Sequence, residues 1–257
     1  MSGRLTAVAL PALPEIGPGD ELGRLVAEAW WALITEDASM APAEGDVLVV
    51  TQKVVSKAEG RIVRLADVDP RPEALEWGRA WDKDPRQVEV VLRESAEILR
   101  MERGVIISRT HHGYVCANAG VDASNVGEED TVVLLPEDPD RSAAGLRQAV
   151  LEELGVDVGV IVSDSFGRPW RLGITDVALG VSGFRPLDDL RGEPDTEGRE
   201  MRATVVAVAD ELASVAELTS GKTSRRPVVL IRGAALPSGA GSVVDDVLMP
   251  PEQDLFR

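Results

Sequence analysis

An aspartate between two serines follows one of the most apolar segments of the chain. Residues 158–162 are typical of a buried strand, and Ser163-Asp164-Ser165 comes directly after them. Because α/β folds commonly bind ligands at the carboxyl ends of strands, the Asp164 carboxylate and the Ser165 hydroxyl are candidate metal ligands. Oxygen donors of this kind suit Mg²⁺ or Mn²⁺, which also bind substrate phosphates and water. The alternative is an Asx-turn that ends the strand.

A second candidate acid, Asp122, lies in a stretch of small and polar residues. The stretch Asn118-Ala119-Gly120-Val121-Asp122-Ala123-Ser124-Asn125 follows a strand-like segment at 113–116. Such a loop can bring backbone N–H donors and one carboxylate close to a ligand. It could equally be a tight turn, for which Asn, Gly and Asp are the usual residues. The presence of a second candidate metal acid, Asp164, favours the functional interpretation.

Lysine is scarce in this chain, and three of the four lysines lie in candidate motifs. The sequence has 23 arginines and only Lys53, Lys57, Lys83 and Lys222 as lysines. If residues 53–65 are extended, Lys53 and Lys57 point to the same face. Two lysines on one face of a strand form either an anion site or a solvated, protected edge.

The segment Ser220-Gly221-Lys222-Thr223 resembles part of a phosphate-binding P-loop, but the match fails. The P-loop pattern requires a glycine where this chain has Ala216, and it must follow a strand, whereas a helical pattern precedes this segment. A turn at a helix end, with backbone amides and the Lys222 ammonium facing a phosphate, remains possible.

The cysteine, histidine and arginine patterns add weaker candidates. Cys116 is the only cysteine, so no intrachain disulfide can form, and a small buried residue is favoured over a nucleophile. His111 and His112 are adjacent in a strand-like stretch, so at most one faces a site. His112, Arg168 and Arg171 are candidate contacts for an anionic substrate.

The overall charge restricts the class of ligand. A formal net charge of −17 argues against a general nucleic-acid binder, which needs a basic surface. A small anion is still possible if cations gather locally around it. The longest apolar runs have the length of strands, and no signal peptide is recognisable, so we expect a cytoplasmic protein without a membrane span.

These residues must be positioned by a mixture of strands and helices. The predicted strands are 5–10, 46–51, 104–108, 131–135, 158–162 and 227–232, with extended structure over 53–65, and the predicted helices are 20–34 (capped by Asp20), 72–81, 85–100, 140–154 and 200–218. Residues 185–200 are predicted to be a charged flap and 245–257 to be irregular. Because the elements lack a regular βαβ alternation, the sequence predicts a mixed α/β (α+β) fold.

In their order along the chain, the motifs resemble one family, the coenzyme F-420 gamma-glutamyl ligases. The resemblance covers essentially the whole length. It is carried by Leu13-Pro14-Glu15-Ile16, Gly19-Asp20, Gly45-Asp46, Val54-Val55-Ser56-Lys57-Ala58-Glu59-Gly60, Asn118-Ala119-Gly120-Val121-Asp122, Ser124-Asn125, Ser163-Asp164-Ser165, Gly167-Arg168-Pro169-Trp170-Arg171 and Gly173.

The resemblance implies a two-step reaction. The γ-phosphate of GTP is transferred to a carboxylate of a phospholactyl deazaflavin precursor, and the amine of L-glutamate attacks the resulting acyl phosphate to form an amide. GDP and phosphate leave, and further rounds build a γ-linked glutamate tail. Two alternatives stay open: a nucleotide- or deazaflavin-binding protein without turnover, and a nucleotide-driven ligase for another acid.

The resemblance also implies roles for individual residues. The nucleotide contacts would be Leu13, Pro14, Glu15, Ile16, Gln52, Lys57, Asn125 and the phosphate-covering segment that contains Ser220, Gly221, Lys222 and Thr223. Asp122 and Asp164 would share one Mg²⁺ or Mn²⁺ ion and Ser165 would bind a second, with K⁺ as a further candidate cofactor. Asp122, Asp164 and Lys57 would carry the phosphoryl transfer.

The fold implied by the resemblance is two-lobed, with mixed sheets, and is neither a Rossmann nor a P-loop fold. The family forms an intertwined homodimer, and residues 1–257 would be a single ligase unit without the flavin reductase domain appended in actinobacterial members. One position departs from the family: Lys222 stands where archaeal members have a glutamine that binds the second metal.

Overall fold

The computed structural model describes residues 3–123, 130–221 and 224–255 and contains both helices and strands in mixed order. The strands are β1 (Thr6–Ala9), β2 (Val47–Thr51), β3 (Ile62–Arg64), β4 (Ser95–Glu102), β5 (Val105–Thr110), β6 (Val115–Ala117), β7 (Thr131–Val133), β8 (Gly159–Arg168), β9 (Arg171–Ser182), β10 (Asp188–Asp189), β11 (Val205–Val206) and β12 (Val228–Arg232). The helices are α1 (Leu22–Glu36), α2 (Gln52–Ala58), α3 (Pro72–Trp81), α4 (Pro85–Arg93), α5 (Pro139–Leu154), α6 (Val208–Ser220) and α7 (Val243–Asp246).

A five-stranded sheet in the order β1-β12-β2-β8-β9 forms the largest core. Only β2 and β8 run parallel; the other neighbours are antiparallel. One face packs against α1, α2 and α5, and the other against α6 and α7. Alternate residues of the central strands point to opposite faces, which is why these apolar runs are buried on both sides. The prediction of a mixed α/β fold that is not a doubly wound parallel sheet is confirmed.

The region between α2 and α5 builds its own smaller apolar clusters. Strands β4, β5 and β6 form an antiparallel sheet, and β3 pairs with β7. Helices α3 and α4 contribute Ala74, Val88 and Val91 to one cluster, while Leu65 and Val132 belong to another. The division of the chain into lobes stays a prediction. Among the described residues, no helix is long and apolar enough to cross a membrane.

Two predicted elements are wrong in type. Residues 52–58 form the helix α2 rather than extended structure, because Gln52, Val55 and Ser56 recur at helical spacing and are all buried. The predicted helix 85–100 ends at Arg93, and β4 follows. A turn at Arg103 and Gly104, both with positive φ, folds β4 back onto β5, so tertiary pairing overrides the local helical pattern.

Other boundaries also differ. The strand that begins at Gly159 does not end before Ser163-Asp164-Ser165 but continues into a hairpin with β9, because these residues pair with Ala178, Val177 and Asp176. Helix α6 begins at Val208 rather than near 200, since β11 pairs with β10. The Asp20 carboxylate accepts a hydrogen bond from the Gly17 amide instead of capping α1. Part of the predicted irregular C-terminal segment belongs to α7.

Candidate metal and phosphate site

Asp164 lies in the middle of β8, half-buried between the sheet and the region that precedes α5. The pKa of its carboxyl group is raised from 3.8 to about 7, chiefly by burial and to a smaller extent by the negative charges of Asp176 and Asp122. A hydrogen bond from the Ser165 amide and the charge of Lys53 oppose this rise without cancelling it. Because burial and the neighbouring carboxylates disfavour the charged form, an added cation would favour the ionised form of Asp164.

Asp122 is brought to the same place by a turn. Asn118, Ala119 and Gly120 all have positive φ, so the chain reverses sharply before Asp122. The Asp122 backbone then exchanges two hydrogen bonds with Val133, with N···O distances of 3.0 and 2.8 Å. Both predictions for this stretch have support: it contains a tight turn, and the turn directs a carboxylate toward Asp164.

Lys53 links the two acids. Its Nζ lies 2.6 Å from Asp122 Oδ2, and its charge acts on Asp164. Lys53 belongs to α2, which begins directly after β2, and β2 is the parallel neighbour of β8. Lys53 and Lys57 were expected on one face of an extended segment, as an anion site or a solvated edge. The segment is a helix, in which residues 53 and 57 also share a face.

Lys57, one helical turn further along α2, contacts the N-terminal segment. Its Nζ lies 2.5 Å from Glu15 Oε1; the lysine side chain is only 9% exposed, whereas Glu15 is largely solvent-accessible. The contact holds the predicted nucleotide segment beside α2: Ile16 is buried in the core, Leu13 packs against it, and Pro14 is exposed. Lys57 and Glu15, for which the resemblance implies nucleotide contacts, are therefore joined by an ion pair, and the nucleotide contacts themselves stay a prediction.

Gln52 has a clear structural role. Its amide nitrogen donates to the Leu134 carbonyl at 2.9 Å and to the Ser56 hydroxyl at 2.5 Å, and the side chain is buried. These bonds fix the first turn of α2 to the segment that follows β7. Its predicted contact with GTP stays a prediction.

The predicted phosphate-covering segment begins where α6 ends. Ser220 is the last helical residue, and Gly221 follows with a positive φ while its amide bonds to the Glu217 carbonyl. This agrees with a turn at a helix end. Asn125, Lys222 and Thr223 lie outside the described residues.

The three candidate substrate residues are not brought together. Arg168 and Arg171 face each other across the exposed end of the β8–β9 hairpin. His112 instead forms a 2.8 Å hydrogen bond between Nε2 and the Pro136 carbonyl, and its ring lies against Tyr114. Within the parts of the chain that the structure describes, no hydrogen bond or ion pair joins these three side chains.

The donor atoms fit a hard divalent cation. Asp122, Asp164 and Ser165 offer oxygen only, which suits Mg²⁺ or Mn²⁺. Across residues 3–123, 130–221 and 224–255, no three His, Cys, Asp or Glu side chains are grouped closely enough to form a cation site by themselves. That is compatible with a metal bound through one or two carboxylates, with substrate phosphates and water completing the coordination.

The site contains two residues that were not among its predicted members. Lys53 was noted only as part of a lysine pair, and Asp176 was not singled out. The signal for Asp176 is its register: it lies directly opposite Ser165 in the β8–β9 hairpin and is buried. Without the knowledge that residues 171–182 form a strand, this proximity is invisible in the sequence.

Comparison with known proteins identifies the relatives of this chain. The family model described as F420-0:Gamma-glutamyl ligase matches residues 12–233. A coenzyme F420:L-glutamate ligase of Methanothermobacter thermautotrophicus is 41% identical over 257 residues, covering 98% of this chain and 99% of the relative. The ligase of the same name from Methanopyrus kandleri is 46% identical, covering 96% of both chains, and that of Methanocaldococcus jannaschii is 44% identical, covering 83% and 85%.

Two pairs of residues that carried the resemblance lie near each other: Lys57 forms an ion pair with Glu15 of the segment 13–16, and Asp122 and Asp164 both interact with the Lys53 ammonium group. With a family match over most of its length and relatives at 41–46% identity, the chain belongs to the F420-0:gamma-glutamyl ligase family.

Proposed function

We propose that this protein is a GTP-dependent ligase that joins L-glutamate, through γ-linked amide bonds, to the phospholactyl deazaflavin precursor of coenzyme F-420. The observation that carries the proposal is the convergence of Asp122 and Asp164, from distant parts of the chain, beside the lysine-bearing helix α2. Phosphoryl transfer requires positioning and charge neutralisation more than covalent help from the protein, and the two acids would supply both by holding a cation beside the lysines of α2.

The proposed roles of the residues follow from their charges. Asp122 and Asp164 would hold one divalent cation and Ser165 a second, and these ions would neutralise charge on the phosphates. Lys57, already beside the N-terminal segment, would exchange the exposed Glu15 carboxylate for a nucleotide phosphate. Lys53 would keep the acids oriented and add positive charge near the γ-phosphate.

The reaction balances without a covalent enzyme intermediate. An oxygen of the precursor carboxylate attacks the γ-phosphorus of GTP, and the bond to the β-phosphate oxygen breaks, which gives an acyl phosphate and GDP. The amine nitrogen of L-glutamate then attacks the acyl carbon, loses a proton and expels inorganic phosphate. Holding both reactants at a fixed cation site is the main contribution expected of the protein.

We also propose that the working form is a homodimer. The β8–β9 hairpin that carries Asp164 extends into an apolar tip, with Trp170 82% exposed, Leu172 100% exposed and Ile174 55% exposed. Large apolar side chains clustered at an exposed position are typical of a protein–protein contact. The partner expected to pack on this tip is a second copy of the chain, in agreement with the family resemblance.

The proposal is tested by incubating the protein with GTP, Mn²⁺, L-glutamate and the deazaflavin precursor, with K⁺ or Na⁺ as the monovalent salt. Mass spectrometry should detect glutamylated product, with one GDP released per amide bond. Parallel reactions with ATP test nucleotide preference. Binding without GDP release would instead indicate a non-catalytic binding protein, and GDP release only with other acids would indicate a different ligase.

The matched variant is Asp164→Ala, which should abolish turnover and retain the wild-type circular dichroism spectrum. Arg103→Ala is a suitable control, since Arg103 is largely exposed at the β4–β5 turn. Full activity in Asp164→Ala would overturn the metal assignment.

A further inference from the structure

Asp176 is a buried acid for which the proposed reaction has no assigned role. It lies on β9, is 4% exposed, and stands directly opposite Ser165 on β8. Burying a carboxylate costs free energy unless hydrogen bonds replace the lost hydration, so the contacts of Asp176 are the evidence for its role.

The side chain closest to the Asp176 carboxylate is that of Ser165, a proposed metal ligand. Ser165 Oγ donates to Asp176 Oδ1 at 2.5 Å, and Ser163 Oγ approaches Asp176 Oδ2 at the longer distance of 3.4 Å. Residues 163 and 165 point to the same side of the strand, and the partner opposite residue 165 shares that side. Asp176 therefore accepts hydrogen bonds from the serine hydroxyls on either side of Asp164.

The direction of the Ser165 hydrogen bond has a chemical consequence. A hydroxyl has one proton and two acceptor lone pairs. When its proton is directed to Asp176, Ser165 Oγ can present a lone pair to a cation, and the carboxylate makes that oxygen more electron-rich. Metal ligands in proteins are commonly oriented by outer partners of this kind.

The backbone of Asp176 is held by α6. Ser214 Oγ donates to the Asp176 carbonyl at 2.9 Å and also lies 2.8 Å from Thr175 Oγ1. The same helix ends at Ser220, where the proposed phosphate-covering segment begins. Asp176 thus connects the Ser165 hydroxyl, through β9, to the helix that leads into that segment.

We infer that Asp176 is a positioning residue that orients the Ser165 hydroxyl for binding a divalent cation. The inference deepens the proposed function and rests on it, because Ser165 matters in this way only if the site binds a metal. It assigns Asp176 no direct contact with the metal or the substrates.

The test is a titration of the full-length protein with Mn²⁺ alone, in which electron paramagnetic resonance measures free and bound ion. Asp176→Ala should weaken Mn²⁺ binding at this site by about 10- to 100-fold, the usual effect of removing a ligand's outer partner. Ser165→Ala, which removes the proposed ligand itself, should weaken it at least as much. The double variant should bind no more weakly than the weaker single variant, because Asp176 acts through Ser165.

Three further variants separate positioning from charge and from general damage to the fold. Asp176→Asn keeps an acceptor oxygen for Ser165 and should retain most of the affinity, and it carries the test if Asp176→Ala does not fold. Ser163→Ala removes the longer contact to the same acid, and Asp210→Ala removes a neighbouring acid whose carboxylate binds the Ala178 amide. Both controls should bind Mn²⁺ as the wild type does.

Three results would each overturn the inference. They are additive losses of affinity in the double variant, an Mn²⁺ affinity of Asp176→Asn as weak as that of Asp176→Ala, and unchanged Mn²⁺ binding in Asp176→Ala. The failure of the proposed ligase activity is distinguishable from these results. A wild-type protein that binds Mn²⁺ but forms no glutamylated product would contradict the function and leave the role of Asp176 intact. A wild-type protein that binds no Mn²⁺ would overturn both.

Discussion

The carboxyl group of Asp164 holds its proton at a higher pH than an ordinary aspartate does. Burial is the main cause, and it raises the pKa to about 7. Where Asp164 binds a divalent cation, as proposed, protons would compete with that cation below neutral pH. We expect the affinity for Mn²⁺ to rise by about tenfold per pH unit below pH 7 and to level off above it, as measured by titrations between pH 5.5 and 8.5.

The same shift affects the metal-free protein. Because the folded pKa lies above the ordinary value of 3.8, the folded state binds more protons than the unfolded state between these values. Stability contributed by protonated Asp164 is therefore lost as the pH rises from about 4 to 7. Asp164→Asn should lack this part of the pH dependence. If both proteins show the same dependence of unfolding free energy on pH, burial does not control the acid.

How well the site could be predicted differs from residue to residue. Asp122 and Asp164 were recognisable because each is a lone acid among small residues next to an apolar strand. Asp176 was not, since its closeness to Ser165 depends on a strand register that no local pattern reveals. Lys53 was noticed because lysine is scarce in this chain. Its contact with Asp122 could not be predicted, because the two residues are far apart in the sequence and only the fold brings them together.

At the scale of elements, α2 shows how a local pattern can predict the wrong secondary structure and still place two lysines on a common face. Its two valines favour a strand, but burial of Gln52, Val55 and Ser56 on one helical face outweighs that weak preference. The helix still presents Lys53 and Lys57 one turn apart, to Asp122 and Glu15 respectively. The two lysines therefore share a face, as predicted, although the predicted secondary structure was wrong.

The α3–α4 region depends on a buried glutamate held by two arginines. Glu89 is 3% exposed and accepts hydrogen bonds from Arg71 and Arg93. Glu89→Gln should lower the free energy of unfolding by roughly 1–3 kcal/mol, less than for a fully buried ion pair because both arginines are half-exposed. Urea unfolding at pH 7 measures this loss.

The pH dependence of Glu89 provides an independent check. Burial alone would raise the pKa of Glu89, but the hydrogen bonds from Arg71 and Arg93 outweigh it and hold the pKa at about 2, below the ordinary 4.5. Its stabilising contribution is present above pH 4.5 and is lost as the pH falls toward 2. The difference between wild type and Glu89→Gln should therefore shrink over that interval, and a constant difference would argue against the ion pair.

The contact between β9 and α5 leaves no room for a side chain at Gly180. A Cβ atom there would lie 2.1 Å from the Pro139 carbonyl oxygen and 2.6 Å from the Asp140 amide. Gly180→Ala should destabilise the protein by at least roughly 1–3 kcal/mol, because backbone must move. Gly145→Ala on α5 is the matched control: its Cβ would meet nothing within 4 Å, and helix propensity should make it neutral or stabilising. Equal melting temperatures for the two variants would refute the close packing.

At the scale of the whole molecule, the sequence indicated the fold class but not the β8–β9 hairpin. The prediction of separate strands and helices without regular alternation was confirmed by the mixed sheet order. The residues from Arg171 to Ser182 were not recognised as a strand; the first four are exposed, so their apolar members, Leu172 and Ile174, lie outside the core. This segment forms a regular strand because it pairs with β8, and such pairing cannot be recognised from the segment's own sequence.

That exposed end of the hairpin gives the prediction for assembly. Leu172 is fully exposed between Trp170 and Ile174, so Leu172→Asp would place a charge in the centre of the apolar tip. If the tip packs against a second copy, the charge would be buried without a partner, and the dimer should dissociate. Size-exclusion chromatography with light scattering should show a dimer for the wild type and a monomer for Leu172→Asp. Leu255→Asp, which alters an 88% exposed leucine elsewhere, should remain dimeric. A Leu172→Asp protein that remains dimeric would rule out the tip as the interface. The hairpin also carries Asp164 and Asp176, so the monomer should lose Mn²⁺ affinity only if the partner stabilises the hairpin.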